Sequence, residues 1–164
     1  MSESNPISIR HEAEQLIRHA RSLQLATISK QGELEISYTP FLWFDEAFYI
    51  FVSELAAHTQ NLLQNLKTKV LLIEDESACK NIFARKRLTL ACNANLIEPG
   101  HEKYKMMLDA MEQKHGKTVS VLRTLSDFHL FQLNSLKGSY IQGFGQAFQF
   151  ERFELERAVQ ATGR

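Results

Sequence analysis

Ser53, His58 and Thr59 stand at the head of the segment SELAAHTQNLL, and Arg85, Lys86 and Arg87 form the basic turn of IFARKRLTL. Free N–H groups at a helix start bind anions, and a nearby Arg or Lys strengthens the grip. A phosphate or a carboxylate would suit such a site. Ser53 is the expected N-cap of a helix over roughly 54–65, with Leu55, Leu62, Leu63 and Leu66 as its apolar stripe. His58 and Thr59 fall within that stripe. Buried without partners, each would cost about 1–3 kcal/mol. His58 therefore reads either as a core histidine satisfied by a backbone carbonyl or as a ligand-binding one. The run from Arg85 to Arg87 reads either as a solvated turn or as an anion clamp. Tyr38 and Thr39 precede Pro40, which cannot donate to a sheet ladder. They are ordinary strand residues or, at a bulge, hydroxyls offered to a ligand.

Other chemistries find no support. The chain has no Gly-rich phosphate loop, nucleophile elbow, Cys-x-x-Cys or His-Glu-x-x-His. Its carboxylates are scattered, so no paired acid–base site emerges. Cys79 and Cys92 read as reduced thiols of a cytosolic protein, and neither has a metal-ligand spacing around it. The formal net charge is zero, which argues against a general binder of nucleic acid or of a membrane surface. The polar first residues carry no signal-peptide core, and no apolar run reaches spanning length, so the cytoplasm is the expected compartment.

The elements that must position these residues follow from periodicity. With 164 residues and 44% hydrophobic content, the chain suits one domain over 1–164. Residues 1–7 read as a loose tail and 151–164 as a charged tail that can turn helical. Ile9, Ala13, Leu16 and Ile17 recur at helical spacing over roughly 8–22, with Ser8 as N-cap. LQLATIS and LEISYTPF form a hairpin around Gly32. AFYIFV and KVLLI are apolar on both faces, which implies a cover on the outer side, here expected from a second subunit. Residues 87–96 alternate cleanly, with Cys92 on the apolar side. Tyr104, Met107, Leu108 and Met111 mark a helix ending at His115-Gly116, and a short helix can follow over 117–125. Strands over 127–133 and 138–150 close the chain, with Gly143 and Gly145 expected where another backbone or a flat ligand approaches. About six or seven strands joined by short turns predict a mainly β protein, an antiparallel barrel with peripheral helices.

The blocks ATISKQGELEISYTPF, FYIFVSELAAHTQNLLQN, VLLIEDE, NIFARKRLTL, DFHLFQL and GFGQAF resemble the HugZ/HutZ-type haem-utilisation proteins. These belong to the pyridoxamine 5'-phosphate oxidase-like, FMN-binding split-barrel superfamily. The resemblance spans about residues 15–150. It implies a homodimeric split barrel with ligand sites at the dimer interface, haem binding and, in some members, oxidative haem breakdown. It places His58 in the interfacial helix of the haem pocket and Arg87 at the basic strand start near the propionates, while Arg85 is offered to the ligand by the basic turn alone. Asp127 resembles an acidic residue that supports the haem ligand, and Ser53 and Thr59 fall where flavin-binding relatives hold the FMN phosphate. Those relatives usually carry Arg-Lys where His58-Thr59 stands. In haem-degrading relatives the axial histidine comes from a C-terminal tail, and no histidine follows His129 here. The functions implied are haem binding with possible oxidative degradation, an FMN-dependent oxidoreductase, or a non-catalytic carrier of haem or flavin.

Overall fold

The computed structural model describes residues 6–162, so residues 1–5 of the expected N-terminal tail and the last two of the C-terminal tail lie outside the described residues. The chain runs α1 (Pro6–His19), β1 (Ser22–Ile28), β2 (Leu34–Pro40), β3 (Leu42–Phe44), β4 (Ala47–Ser53), α2 (Ala57–Gln64) and β5 (Lys67–Ile73). It continues with β6 (Arg87–Ile97), α3 (Glu102–His115), α4 (Thr118–Leu122), β7 (Phe128–Gly143), β8 (Gln146–Glu151) and β9 (Val159–Gln160). The strands form one sheet in the order β2-β1-β5-β6-β7-β4-β3, with β8 on β7 and β9 on β8, and neighbouring strands run antiparallel. A mainly β antiparallel architecture is therefore correct.

The long strand β7 organises the sheet. Its first half pairs with β4, its second half with β8, and β6 runs beside nearly all of it. The sequence reads this stretch as two strands, over 127–133 and 138–150. The polar Asn134, Ser135 and Lys137 break the apolar alternation, yet β6 holds the backbone extended through them with a register shift at Ala91/Cys92. The expected close approach moves as a result. Gly145 lies in the β7–β8 turn with φ +65°, whereas Gly138 is the crowded position. A Cβ there would sit 2.5 Å from Phe150 Cζ and 2.6 Å from Leu90 Cδ2.

One core fills the curled sheet: Leu23, Leu25, Phe48, Ile50, Leu88, Leu90, Phe131, Leu133 and Tyr140, closed by Ile9, Ala13 and Ile17 of α1. A second core joins Tyr49, Phe51, Ile97 and Leu130 to Met107, Leu108 and Met111 of α3 and Val119 of α4. This corrects the expected cover for β4. Its outer side is buried by α3 and α4 of the same chain, not by a second subunit, which is why the six residues from Ala47 to Val52 are all buried. β5 differs, since Leu71 and Ile73 stay partly exposed.

Helix starts are shifted from the sequence reading. α1 begins at Pro6, so Ser8 is inside it. α2 begins at Ala57 with Ala56 at its N-cap and no side-chain cap, so Ser53 is not its cap and Leu55, 93% exposed, is not in its stripe. Several turns follow expectation. Gly32 has φ +87°, and Gly116 (also φ +87°) caps α3 with its N–H on Glu112 O. His115 Nε2 lies 2.8 Å from Phe41 O. In the tail, Phe153 and Leu155 are buried in the first core and a short 3-10 turn and β9 follow, so only a single turn is helical.

Candidate functional site

α2 lies against β1 and β2, and its polar residues meet theirs. His58 Nδ1 is 2.8 Å from Ser37 Oγ, which holds the ring in place. Burial lowers the His58 pKa from its ordinary 6.5, partly offset by Glu35, so the imidazole is neutral at physiological pH. Asn61 Nδ2 donates to Thr27 Oγ1 at 3.0 Å. Thr59 is fully buried and its Oγ1 has no hydrogen-bond partner among the described residues. Leaving such a buried hydroxyl unpaired costs about 1–3 kcal/mol. Tyr38 and Thr39 point to opposite faces of β2. Tyr38 is 69% exposed, while Thr39 is buried and donates to Pro40 O at 3.1 Å.

Ser53 and Asp127 form a second group at the ends of β4 and β7. Ser53 Oγ donates to Asp127 Oδ2 at 2.7 Å and accepts from Leu55 N at 3.1 Å. Glu54 N donates to Asp127 O at 2.8 Å, and His129 Nε2 is 2.5 Å from Glu54 Oε1. Ser53 thus nucleates a turn ahead of α2, and Asp127 latches that turn to β7.

The basic turn stands elsewhere. Arg85 donates through Nε (2.9 Å) and Nη2 to Glu74 O and pairs with Glu76 at 3.2 Å. Lys86 pairs with Glu12 at 2.8 Å, and Glu12 also accepts from Gln142 at 2.8 Å and Tyr140 at 3.4 Å. Burial pushes the Glu12 carboxyl up, but Lys86, Gln142 and Tyr140 outweigh it and hold the carboxyl below its usual range. Arg87 donates only to Arg85 O, at 3.3 Å, and has no carboxylate partner among the described residues. Ser53 pairs with Phe128 at one end of β7 and Arg87 with Ile141 near the other. At about 3.3 Å per residue this is roughly 40 Å of strand path. Within one chain, therefore, Ser53 and Asp127 do not share a site with Arg85 and Arg87, and the single anion grip expected from the sequence is divided.

Sequence reasoning missed Ser37, Glu54 and the lysines of β5 and β7. Lys67 and Lys69 share one side of β5 with Leu71, a period-two signal visible only if the strand is started at Lys67. Lys137 falls in the gap between two expected strands. Among the described residues no group of three or more His, Cys, Asp or Glu is gathered for a metal ion, and no helix is long and apolar enough to cross a membrane.

Comparison with known proteins shows the family. Over 144 residues the chain is 36% identical to the haem oxygenase HutZ of Vibrio cholerae, covering 88% of this chain and 82% of HutZ. A crystal structure described as HutZ, the haem storage protein from the same organism, superposes with a TM-score of 0.74 at 32% identity, over 88% of this chain and 94% of that one. The structure of Campylobacter jejuni ChuZ matches with a TM-score of 0.86 at 31% identity, over 97% of this chain and 64% of ChuZ. The family profile of pyridoxamine 5'-phosphate oxidase covers residues 9–142, and with it every residue of the site. By that coverage, and by its identity to HutZ, the chain belongs to the pyridoxamine 5'-phosphate oxidase family and to its HutZ-like members.

Proposed function

We propose that this protein binds haem as part of haem utilisation, as a cytoplasmic homodimer whose ligand lies between subunits. The observation that carries this reading is the 36% identity to HutZ across 88% of the chain. Two features of the site support it over a flavin. A flavin phosphate at the start of α2 would meet a neutral imidazole and a buried hydroxyl, with no Lys or Arg in the helix sequence AHTQNLLQ. A neutral imidazole held through Nδ1 by Ser37, by contrast, leaves Nε2 free to face a porphyrin or its iron. When bound, haem would supply the iron and the redox chemistry; the chain's own part is to position the macrocycle and keep it from water. The exposed apolar side chains of β2, Leu34, Ile36 and Tyr38, suit a second subunit laid over them.

Titration of the purified protein with haemin tests this reading. A shifted, saturating Soret band is expected, and adding FMN alone is expected to give no bound-flavin spectrum. Haemin that keeps its free spectrum, or protein purified yellow with flavin, would overturn it. Haem bound without turnover under ascorbate or a reductase would identify a carrier, and ring opening would identify an oxygenase.

A further inference from the structure

The sheet has a face turned away from the first core, and its charges are mostly positive, with Lys67, Lys69, Lys137 and Arg87 against Glu151. Strand pairing lines up Lys69 with Ala91 and Ala91 with Lys137, so the two lysines flank a small residue across three adjacent strands. At a strand spacing of about 4.8 Å, their backbones stand roughly 10 Å apart. Arg87 and Thr89 continue the same side of β6, and Lys67 the same side of β5. Lys67, Lys69 and Lys137 make no ion pair among the described residues. Glu151 lies across from Lys137 on β8 but does not pair with it. Two depressions adjoin here, sharing Lys69 and Ala91. One, of about 310 Å³, is lined mainly by apolar atoms of Ala26, Ile28, Leu34 and Leu136. The other, of about 490 Å³, is polar, with Lys69, Lys137, Thr89 and Ser139 beside the carboxylate of Glu151 and an Arg157 already paired with Glu154.

We infer that this face binds a flat amphiphilic dianion, with Lys69 and Lys137 receiving its carboxylates while the depression beside Leu34 and Leu136 takes its apolar plate. The inference rests on the tetrapyrrole reading above and names the residues that grip its propionates. Charge complementarity selects this occupant. A second copy alone would bring these lysines together across a two-fold axis with a single Glu151 per copy to face them, and the cations left over would be buried without partners, which is costly. A dicarboxylate between the copies supplies the missing partner. The apolar depression excludes a small inorganic anion as the sole occupant, and a polyanionic nucleic acid would leave it unfilled. Arg85 and Lys86, which the sequence also offered to the ligand, already satisfy Glu74, Glu76 and Glu12.

Haemin and its dimethyl ester separate the grip from the plate. Both are titrated into the wild-type protein and into the Lys69→Ala/Lys137→Ala and Lys69→Arg/Lys137→Arg double variants, with oligomeric mass and circular dichroism recorded for each. Haemin is expected to bind the alanine variant about tenfold or more weakly, and the arginine variant within about threefold of wild type. The ester is expected to bind both wild type and alanine variant equally, at the weakened level. If wild type takes haemin and its ester with equal affinity, the carboxylate grip is wrong and the haem reading stands. The grip is equally wrong if the folded alanine variant keeps full haemin affinity. If wild type takes neither, the haem reading fails and this inference with it. Should the alanine variant not fold, the haemin–ester comparison on wild type decides alone.

Discussion

His58, Thr59 and Glu12 show how local surroundings set each residue's role. His58 is held by Ser37, and burial lowers its pKa, so the imidazole proposed to face the ligand is neutral. His58→Ala and Arg87→Ala are expected to weaken haemin binding, each by about tenfold, with the melting temperature and dimer mass unchanged. A pair of variants that only lower the melting temperature would make both residues structural. Glu12 yields a pH prediction. Its folded pKa lies below the ordinary 4.5, so the folded state holds its proton less tightly than the unfolded chain. The stability from its contacts with Lys86, Gln142 and Tyr140 is complete above about pH 4.5 and is lost as pH falls through the folded value. Glu12→Gln is expected to flatten the acid limb of a melting temperature–pH curve, and an unchanged limb would contradict this. At this scale the sequence is partly legible. The polar interruption of an apolar stripe at His58 and Thr59 does mark residues in need of partners: His58 meets Ser37, and Thr59 has none among the described residues. Ser53 misleads because Ser serves a turn as well as a helix cap, and only the partner, Asp127, decides between them.

Among the elements, β7 and its neighbours position the candidate site residues. Gly138 allows Phe150 and Leu90 to close over the strand, so Gly138→Ala overpacks the core. A loss of about 1–3 kcal/mol, or roughly 2–12 °C in melting temperature, is expected by calorimetry. A neutral substitution would mean that the strand can shift away from Phe150. β6 is legible from alternation alone, because one of its sides is packed and the other is not: Leu88, Leu90, Cys92 and Ala94 are all buried. β7 is not legible as one strand, since its middle is polar and is held extended by pairing on both sides, a long-range cause with no local signature. The double burial of β4 is visible as an apolar run. What buries its second side is not, because a run on one strand does not say whether a helix or another chain covers it.

For the whole molecule, the decisive surface is the face of β2, β1, β5 and β6 turned away from the core. Ile36, 79% exposed, sits beside Leu34 and Tyr38 on that face. Ile36→Asp is expected to convert a dimer into a monomer near 18.9 kDa by light scattering after size exclusion. Wild-type protein already at that mass would rule out the dimer. The excess of positive charge on this face escapes the sequence because Lys69 and Lys137 are distant in the chain and meet only through register with β6. A formal net charge of zero hides it further, since carboxylates elsewhere, among them Glu76 and Glu12 at Arg85 and Lys86, balance the sum. The central claim is that this protein holds haem, and the absorption spectrum of purified protein as haemin is added tests it most directly. A Soret band that shifts and saturates at a fixed ratio of haem to subunit, at micromolar protein, is the predicted result. A spectrum that remains that of free haemin at every ratio would contradict it.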